Sequence, residues 1–225
     1  DTIFKALSPA MPDRVIAGHH ADLCVGRING RRPKDDSFYI YLGGLIGGGW
    51  GAKYNSDGRN AVIAMNDGDT HNGPSEQVEA KYPLLVERYC LRPDSGGAGR
   101  YRGGLGTEQV VQALHPIRFS SLMERARCRP WGLFGGLSGH GNAVAVHRFN
   151  TPEETRFPSA KALNQVLQPG DAYILRSGGG GGYGSPLDRD LATLEHDVRC
   201  GYVTQESAEQ NYGAVFKPDS LALDV

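Results

Sequence analysis

Polar residues with the spacing of a catalytic or metal site occur in the segment NDGDTHNGP of this 225-residue chain. Asp67, Asp69 and His71 stand at i, i+2 and i+4, so an extended strand would place the three side chains on one side. Such a set suits a hard metal ion or acid and base catalysis. His71 is the best single candidate for proton transfer, with Asp69 beside it, because histidine titrates near neutral pH. A polar turn, in which Asp and Asn side chains bond the local backbone, is an equal alternative.

A second polar cluster, HHAD, contains His19, His20 and Asp22. These three residues could chelate a metal ion if they sat in a turn. Adjacent histidines in one strand, however, point to opposite faces, and a metal site needs three or four convergent ligands. His19, His20 and Asp22 are therefore weaker metal candidates than the NDGDTHN segment.

Residues 92–106, RPDSGGAGRYRGGLG, combine six glycines with three arginines. Guanidinium groups beside open glycine backbone could hold a carboxylate or a phosphate with two hydrogen bonds each. The candidate substrate-binding residues of this loop are Arg92, Asp94, Gly96, Gly97, Arg100 and Arg102. The alternative is structural: Asp94 pairs with one of the arginines and holds a long loop against a sheet, which satisfies its buried polar groups.

Nucleotide-binding motifs are absent or weak. No glycine cluster is followed by Lys and then Ser or Thr, as a P-loop requires. The pattern GxGxxG/A begins at Gly47 and at Gly179, but neither match leads directly into a helix that could hold a pyrophosphate. We therefore expect this chain not to bind ATP by itself.

The elements that must position these residues are mostly strands. Residues 38–42, 84–91, 108–114, 117–123 and 143–149 are rich in apolar and β-branched residues and are separated by Gly- and Pro-rich turns. Helices are predicted only near the end, one capped by Asp190 and one capped by Thr204 and ended by Gly213. The predicted fold class is α+β, with a β-rich, largely antiparallel core, long glycine-rich loops and two short C-terminal helices.

The same patterns divide the chain into three parts. Residues 1–37 show no sustained helical or strand period and are expected to be an extended segment that packs on a partner or on a missing half of the protein. Residues 38–185 form the β-rich core, and residues 186–225 form a helical C-terminal segment. The formal net charge of −1 and the lack of a long apolar run argue against nucleic acid or a membrane as partner.

Four sequence blocks in this order resemble the hydantoinase B/oxoprolinase family: VERYCLRPDSGGAGRYRGGLG at 86–106, PWGLFGG at 130–136, SGGGGGYGSPLDRD at 177–190 and GYVTQESAEQNYG at 201–213. The resemblance implies a part of an ATP-dependent enzyme that opens a cyclic amide such as hydantoin, N-methylhydantoin or 5-oxoproline. The related acetone and acetophenone carboxylases are the alternative activity. Both imply a small-molecule substrate.

The resemblance also implies partners and cofactors. A hydantoinase A-type subunit would bind ATP with Mg²⁺ in a cytoplasmic hetero-oligomer. Family subunits are more than twice as long as this chain, and their divalent metal, Mn or Zn, is expected in an N-terminal part that has no counterpart here. The resemblance therefore implies a C-terminal portion that is inactive when isolated. A third interpretation is a noncatalytic assembly module whose glycine loops only mediate packing.

Overall fold

A computed structural model of the chain describes residues 1–43, 45–65, 67–68, 70, 72–217 and 220–221. The strands in these residues are β1 (Gly26–Arg31), β2 (Phe38–Gly43), β3 (Leu84–Leu91), β4 (Thr107–Ala113), β5 (Ile117–Leu122), β6 (Ala143–His147), β7 (Glu154–Phe157), β8 (Lys161–Leu167) and β9 (Ala172–Arg176). The helices are α1 (Thr2–Leu7), α2 (Ser75–Lys81), α3 (Leu191–Arg199) and α4 (Gln205–Tyr212), with one 3-10 turn at Pro186–Asp188.

Antiparallel pairing joins all neighbouring strands of the described residues, in two sheets. The first sheet has the order β2-β1-β5-β8 and the second has the order β3-β4-β9-β6-β7. The predicted fold class, α+β with a largely antiparallel core, is confirmed. The division at residues 37 and 185 stays a prediction.

The main core lies where side chains of both sheets meet. Ile28 and Phe119 of the first sheet and Tyr173 and Leu175 of the second belong to one buried cluster. The rings of Phe119 and Tyr173 stack with centroids 4.6 Å apart and an interplanar angle of 8°. Burying a side chain of this size stabilises the fold by roughly 1.5–3 kcal/mol, so these contacts hold the two sheets together.

Residues 1–37, whose sequence shows no sustained period, contain α1 and β1, and β1 is paired on both sides. Packing of this segment on a partner or a missing half stays a prediction. The inward positions of β1 are Gly26, Ile28 and Gly30. A Cβ on Gly26 would lie 3.3 Å from the Phe119 ring, so glycine leaves room for that ring. Two glycines at inward positions remove the apolar alternation by which a strand is recognised.

The C-terminal helices are confirmed with their predicted caps. An Asp190 side-chain oxygen accepts from the Thr193 N–H at 2.8 Å, and Gly213 ends α4 with φ of 68°. The sequence patterns did not predict α2, β7, β8 or β9. Helix α2 has seven residues, none of them buried, and so it lacks an apolar face that a sequence pattern would show.

Replacing Thr204 by Ala is expected to lower the free energy of unfolding by about 1 kcal/mol, because its hydroxyl accepts from the Ser207 N–H at 3.1 Å at the start of α4. Thr204→Ser keeps that hydroxyl and should retain most of the stability. Urea unfolding of both variants measures the difference. An equal loss in both variants would contradict a capping role.

An apolar face of the first sheet is exposed to solvent. Along β2, Phe38, Ile40 and Leu42 are 57%, 48% and 62% exposed, on the side away from the core. Exposed apolar patches of this kind commonly mark interaction surfaces. Separately, no helix in the described part of the chain is long and apolar enough to cross a bilayer.

Candidate functional site

A glycine-rich segment, SGGGGGYG at residues 177–184, lies at the centre of the molecule and bonds through its backbone to other segments. We call it the central glycine segment. Its neighbours repeat every three residues: Gly178 and Gly181 pair with residues 49–52, Gly179 and Gly182 with residues 137–140, and Gly180 and Tyr183 with residues 101–104. Three residues per turn without internal hydrogen bonds is the pattern of a polyproline II helix.

Glycine is required here because the surrounding backbones are too close for a side chain. A Cβ on Gly179 would lie 1.9 Å from the carbonyl oxygen of Ser95, and a Cβ on Gly180 would lie 1.9 Å from that of Trp50. Gly96 and Gly97 are two predicted substrate-binding residues. A Cβ on either of them would lie 2.1 Å from a backbone carbonyl oxygen. These distances indicate that the glycine clusters allow backbone segments to pack closely against each other.

Arg102 takes part in a buried ion-pair network. Its Nε donates to Asp197 at 3.1 Å, and its side chain is 4% exposed. Arg189 donates to the same carboxylate at 2.6 Å and to both oxygens of Asp57, at 2.9 and 2.8 Å. Burial alone would raise the pKa of Asp57, but the hydrogen bond and charge of Arg189 outweigh burial and lower it. We name Arg102, Arg189, Asp57 and Asp197 the buried network.

The other predicted residues of this loop point in different directions. Asp94 accepts from the Thr204 N–H at 2.9 Å and so ties the loop to α4. Arg92 donates to the carbonyl oxygens of Gly141 and Ser177, at 3.2 and 3.0 Å. Arg100 is exposed, with its guanidinium 5.6 Å from the centre of the Tyr101 ring. The structure does not bring the three arginines together, and their role in substrate binding stays a prediction.

His19 and His20 are both buried, at 5% and 0% exposure. Burial lowers the pKa of each to about 4, with a further contribution from Arg125 for His19 and from His19 for His20. Asp22 accepts from the backbone N–H of Glu124 at 2.7 Å. Within the described ranges, no three His, Cys, Asp or Glu side chains are grouped closely enough for a metal ion.

The segment that carries the predicted catalytic pair is only partly described. His71 and Asp69 lie outside the described residues. Asp67 donates its backbone N–H to Ala64 at 2.9 Å, which is a turn contact. The Asn72 amide donates to the Tyr89 hydroxyl at 2.9 Å, beside a cavity between β2, α2 and β3. Proton transfer by His71 and metal binding by this segment stay predictions.

Sequence patterns did not single out Asp57 or Asp197 as partners of Arg102. Asp197 lies 95 positions after Arg102 in the chain, and charged residues on a C-terminal helix ordinarily indicate a solvated face. Arg92, Arg129, Arg156 and Arg176, which line one cavity, were not recognised as a group for the same reason: they come from four separate parts of the chain. The sequence shows that these residues are charged, but it does not show that they lie close together in the fold.

These features define a class of protein: a two-sheet antiparallel domain built around a central glycine segment, with buried ion pairs that hold its helix α3. The chain belongs to the hydantoinase B/oxoprolinase family, whose model matches residues 1–186. The expected resemblance to this family is thereby confirmed.

Relatives match over almost the whole chain. A protein of Pseudomonas sp. (strain NS671), whose name describes it as the B-type component of a D-/L-hydantoinase, is 33% identical over 224 residues, which is 100% of this chain and 37% of that protein. The crystal structure of the ATP-dependent caprolactamase from Pseudomonas jessenii aligns with a TM-score of 0.84 at 29% identity, over 96% of this chain and 38% of that chain.

A nucleotide-free structure of acetone carboxylase has the same fold, with a TM-score of 0.77 at 22% identity, over 96% of this chain and 33% of that chain. The chain therefore spans less than two fifths of the length of each relative described here.

Proposed function

We propose that this chain is part of an ATP-dependent enzyme that hydrolyses a cyclic amide, such as a hydantoin, 5-oxoproline or a lactam. The observation that carries the proposal is the match of 96% of the chain to an ATP-dependent caprolactamase with a TM-score of 0.84. The name of the hydantoinase relative supports the same substrate class, a ring closed by an amide bond.

Within such an enzyme this chain supplies a rigid frame. The polar groups of the central glycine segment and of the buried network are already bonded within the fold. Other residues must therefore take part in the reaction. We assign proton transfer to His71 with Asp69, and contact with an anionic intermediate to Arg100, whose guanidinium is exposed and has no anionic partner in the described part of the chain. We expect a divalent metal, Mn or Zn, in a part of the full-length enzyme outside this chain, with Asp67, Asp69 and His71 as weaker candidates within it.

ATP with Mg²⁺ is assigned to a hydantoinase A-type partner, because this chain contains no P-loop. The exposed apolar face of β2 supports assembly with further polypeptide, since Phe38, Ile40 and Leu42 would lose contact with water on association. The proposed assembly is a cytoplasmic hetero-oligomer.

The test measures ADP release by the full-length protein with its A-type partner, in the presence of hydantoin, 5-oxoproline or caprolactam. We expect release that depends on one of these cyclic amides and yields the ring-opened carboxylic acid. Acetone and acetophenone with bicarbonate are the comparison substrates. ADP release only with a ketone and bicarbonate would assign the carboxylase activity instead. No release with any substrate would favour a noncatalytic assembly module.

A further inference from the structure

A cavity of about 490 Å³ lies between residues 126–142 and the strands β6, β7 and β9. Its volume is within the range of sites that hold a small molecule, roughly 300–1,000 Å³. The charged and titratable side chains that line it are Arg92, Arg129, His140, Arg156 and Arg176. We call it the arginine cavity.

Two carboxylates neutralise only part of this charge. Arg176 donates to both oxygens of Glu154, at 2.9 and 2.7 Å, and also to Glu108. Glu108 is shared with Arg88 at 2.6 Å, and Glu154 is shared with Arg156 at 3.6 Å. Glu108 and Glu154 therefore pair with three arginines between them.

The remaining two arginines of the cavity have no carboxylate partner among the described residues. Arg92 donates through Nη1 to two backbone carbonyl oxygens, which do not cancel its charge. The exposed Arg129 side chain has neither a hydrogen bond nor an ion pair in the described ranges. The charge of Asp94 acts on His140, and the Asp22 carboxylate accepts from the Asn142 amide in the cavity wall at 3.4 Å. An excess of positive charge is left inside the cavity.

The effect of these charges on each other is consistent with that excess. Burial lowers the pKa of Arg92 to about 10, and the charge of Arg176 adds to the effect. Partial burial and the charges of Arg92 and Arg129 lower the pKa of His140, which favours the neutral imidazole, with one N–H donor and one acceptor nitrogen. An anion in the cavity would stabilise the charged arginines.

We propose that the arginine cavity binds a small oxyanion, a carboxylate or a phosphate group. Arg129 and Arg156, both exposed, supply the guanidinium groups that reach the ligand, and Arg92 supplies positive charge from the wall. Guanidinium groups bind either oxyanion with paired hydrogen bonds. The proposal stands on this geometry alone and does not depend on the cyclic-amide activity, although ring opening of a cyclic amide does produce a carboxylate.

The experiment titrates inorganic phosphate and, separately, glutarate into the full-length protein at low ionic strength, with calorimetry and without ATP. We expect saturable binding of at least one of them, and the two arms distinguish phosphate from carboxylate. Arg129→Gln should raise the dissociation constant about tenfold, the loss of one charge-assisted contact. Arg127→Gln removes the same charge two residues away, outside the cavity lining, and should change the dissociation constant by less than about twofold.

Saturable binding that is weakened by Arg129→Gln and not by Arg127→Gln supports the arginine cavity. The absence of saturable binding of both probes would overturn the proposal. Equal weakening by the two variants would also overturn it, because that result reports the overall charge of the surface. Since no turnover is measured, these outcomes are separate from those of the ADP-release assay.

Discussion

Gly180→Ala is expected to lower the free energy of unfolding by more than about 4 kcal/mol, or to prevent folding. The added Cβ would lie 1.9 Å from the carbonyl oxygen of Trp50 and 2.2 Å from its carbonyl carbon. Both contacts are with backbone, so no side-chain rotation relieves them. The central glycine segment would have to move away from residues 49–52, and the hydrogen bonds that it makes on its other sides would lengthen.

The matched control is Gly68→Ala. A Cβ at Gly68 meets nothing within 4 Å, so this substitution adds the same methyl group in open space and should change stability by less than about 1 kcal/mol. Thermal unfolding of the two variants and a solubility measurement after expression give the comparison. If Gly180→Ala unfolds like the parent protein, the close packing of the central glycine segment is wrong.

Asp197→Ala is the second large effect, an expected loss of about 3–5 kcal/mol. The carboxylate of Asp197 accepts from both Arg102 and Arg189, and the three side chains are at most 4% exposed. Removal of Asp197 leaves two guanidinium groups away from water, with Asp57 as their one carboxylate partner among the described residues. A guanidinium group keeps its proton at neutral pH. The folded protein would therefore contain an uncompensated buried charge.

Arg199→Ala provides the control on the same helix. Arg199 pairs with Glu195 at 2.5 Å, and its side chain is 60% exposed. Exposed pairs contribute roughly 0–1 kcal/mol, so α3 should tolerate this change. Urea unfolding separates the two outcomes. Similar small losses in both variants would show that the buried network does not stabilise the fold.

The buried network also makes the free energy of unfolding depend on pH in the acid range. Because the pKa of Asp57 is lower in the folded protein than in the unfolded chain, its contribution to stability is complete above the unfolded value of about 3.9. The contribution is lost as the pH falls through the folded pKa. Asp57→Asn should therefore flatten the fall in unfolding free energy below about pH 4 relative to the parent protein.

Local patterns were sufficient for much of the fold. The alternation in LLVERYCL predicted β3. A polar cap before an apolar helical period predicted α3, and the Thr204 cap with the Gly213 stop predicted α4. Local patterns failed where glycine replaces the inward apolar residues of β1. They also failed where a strand such as β7, with four residues, is too short to show a period.

The candidate site was harder to predict because its groups come from distant parts of the chain. Clustering of glycine indicated close backbone approach, but the three-residue repeat of the central glycine segment is visible only in its hydrogen-bond partners. The arginines of residues 92–106 were recognised, whereas the partner of Arg102 could not be. Charge in a sequence shows which residues can interact, and the fold decides which of them meet.

The position of the central glycine segment in the chain sets the order in which the protein can fold. The segments that it bonds to, around residues 18, 49–52, 97–104 and 133–140, are all synthesised before residue 177. Until residues 177–184 have been synthesised, those earlier glycine stretches lack the segment to which their backbone groups bond. Pairings over such sequence distances are slow to form, and incomplete chains with unpaired backbone are prone to aggregate. Residues 1–176 are therefore expected to stay incompletely packed until the central glycine segment has been made.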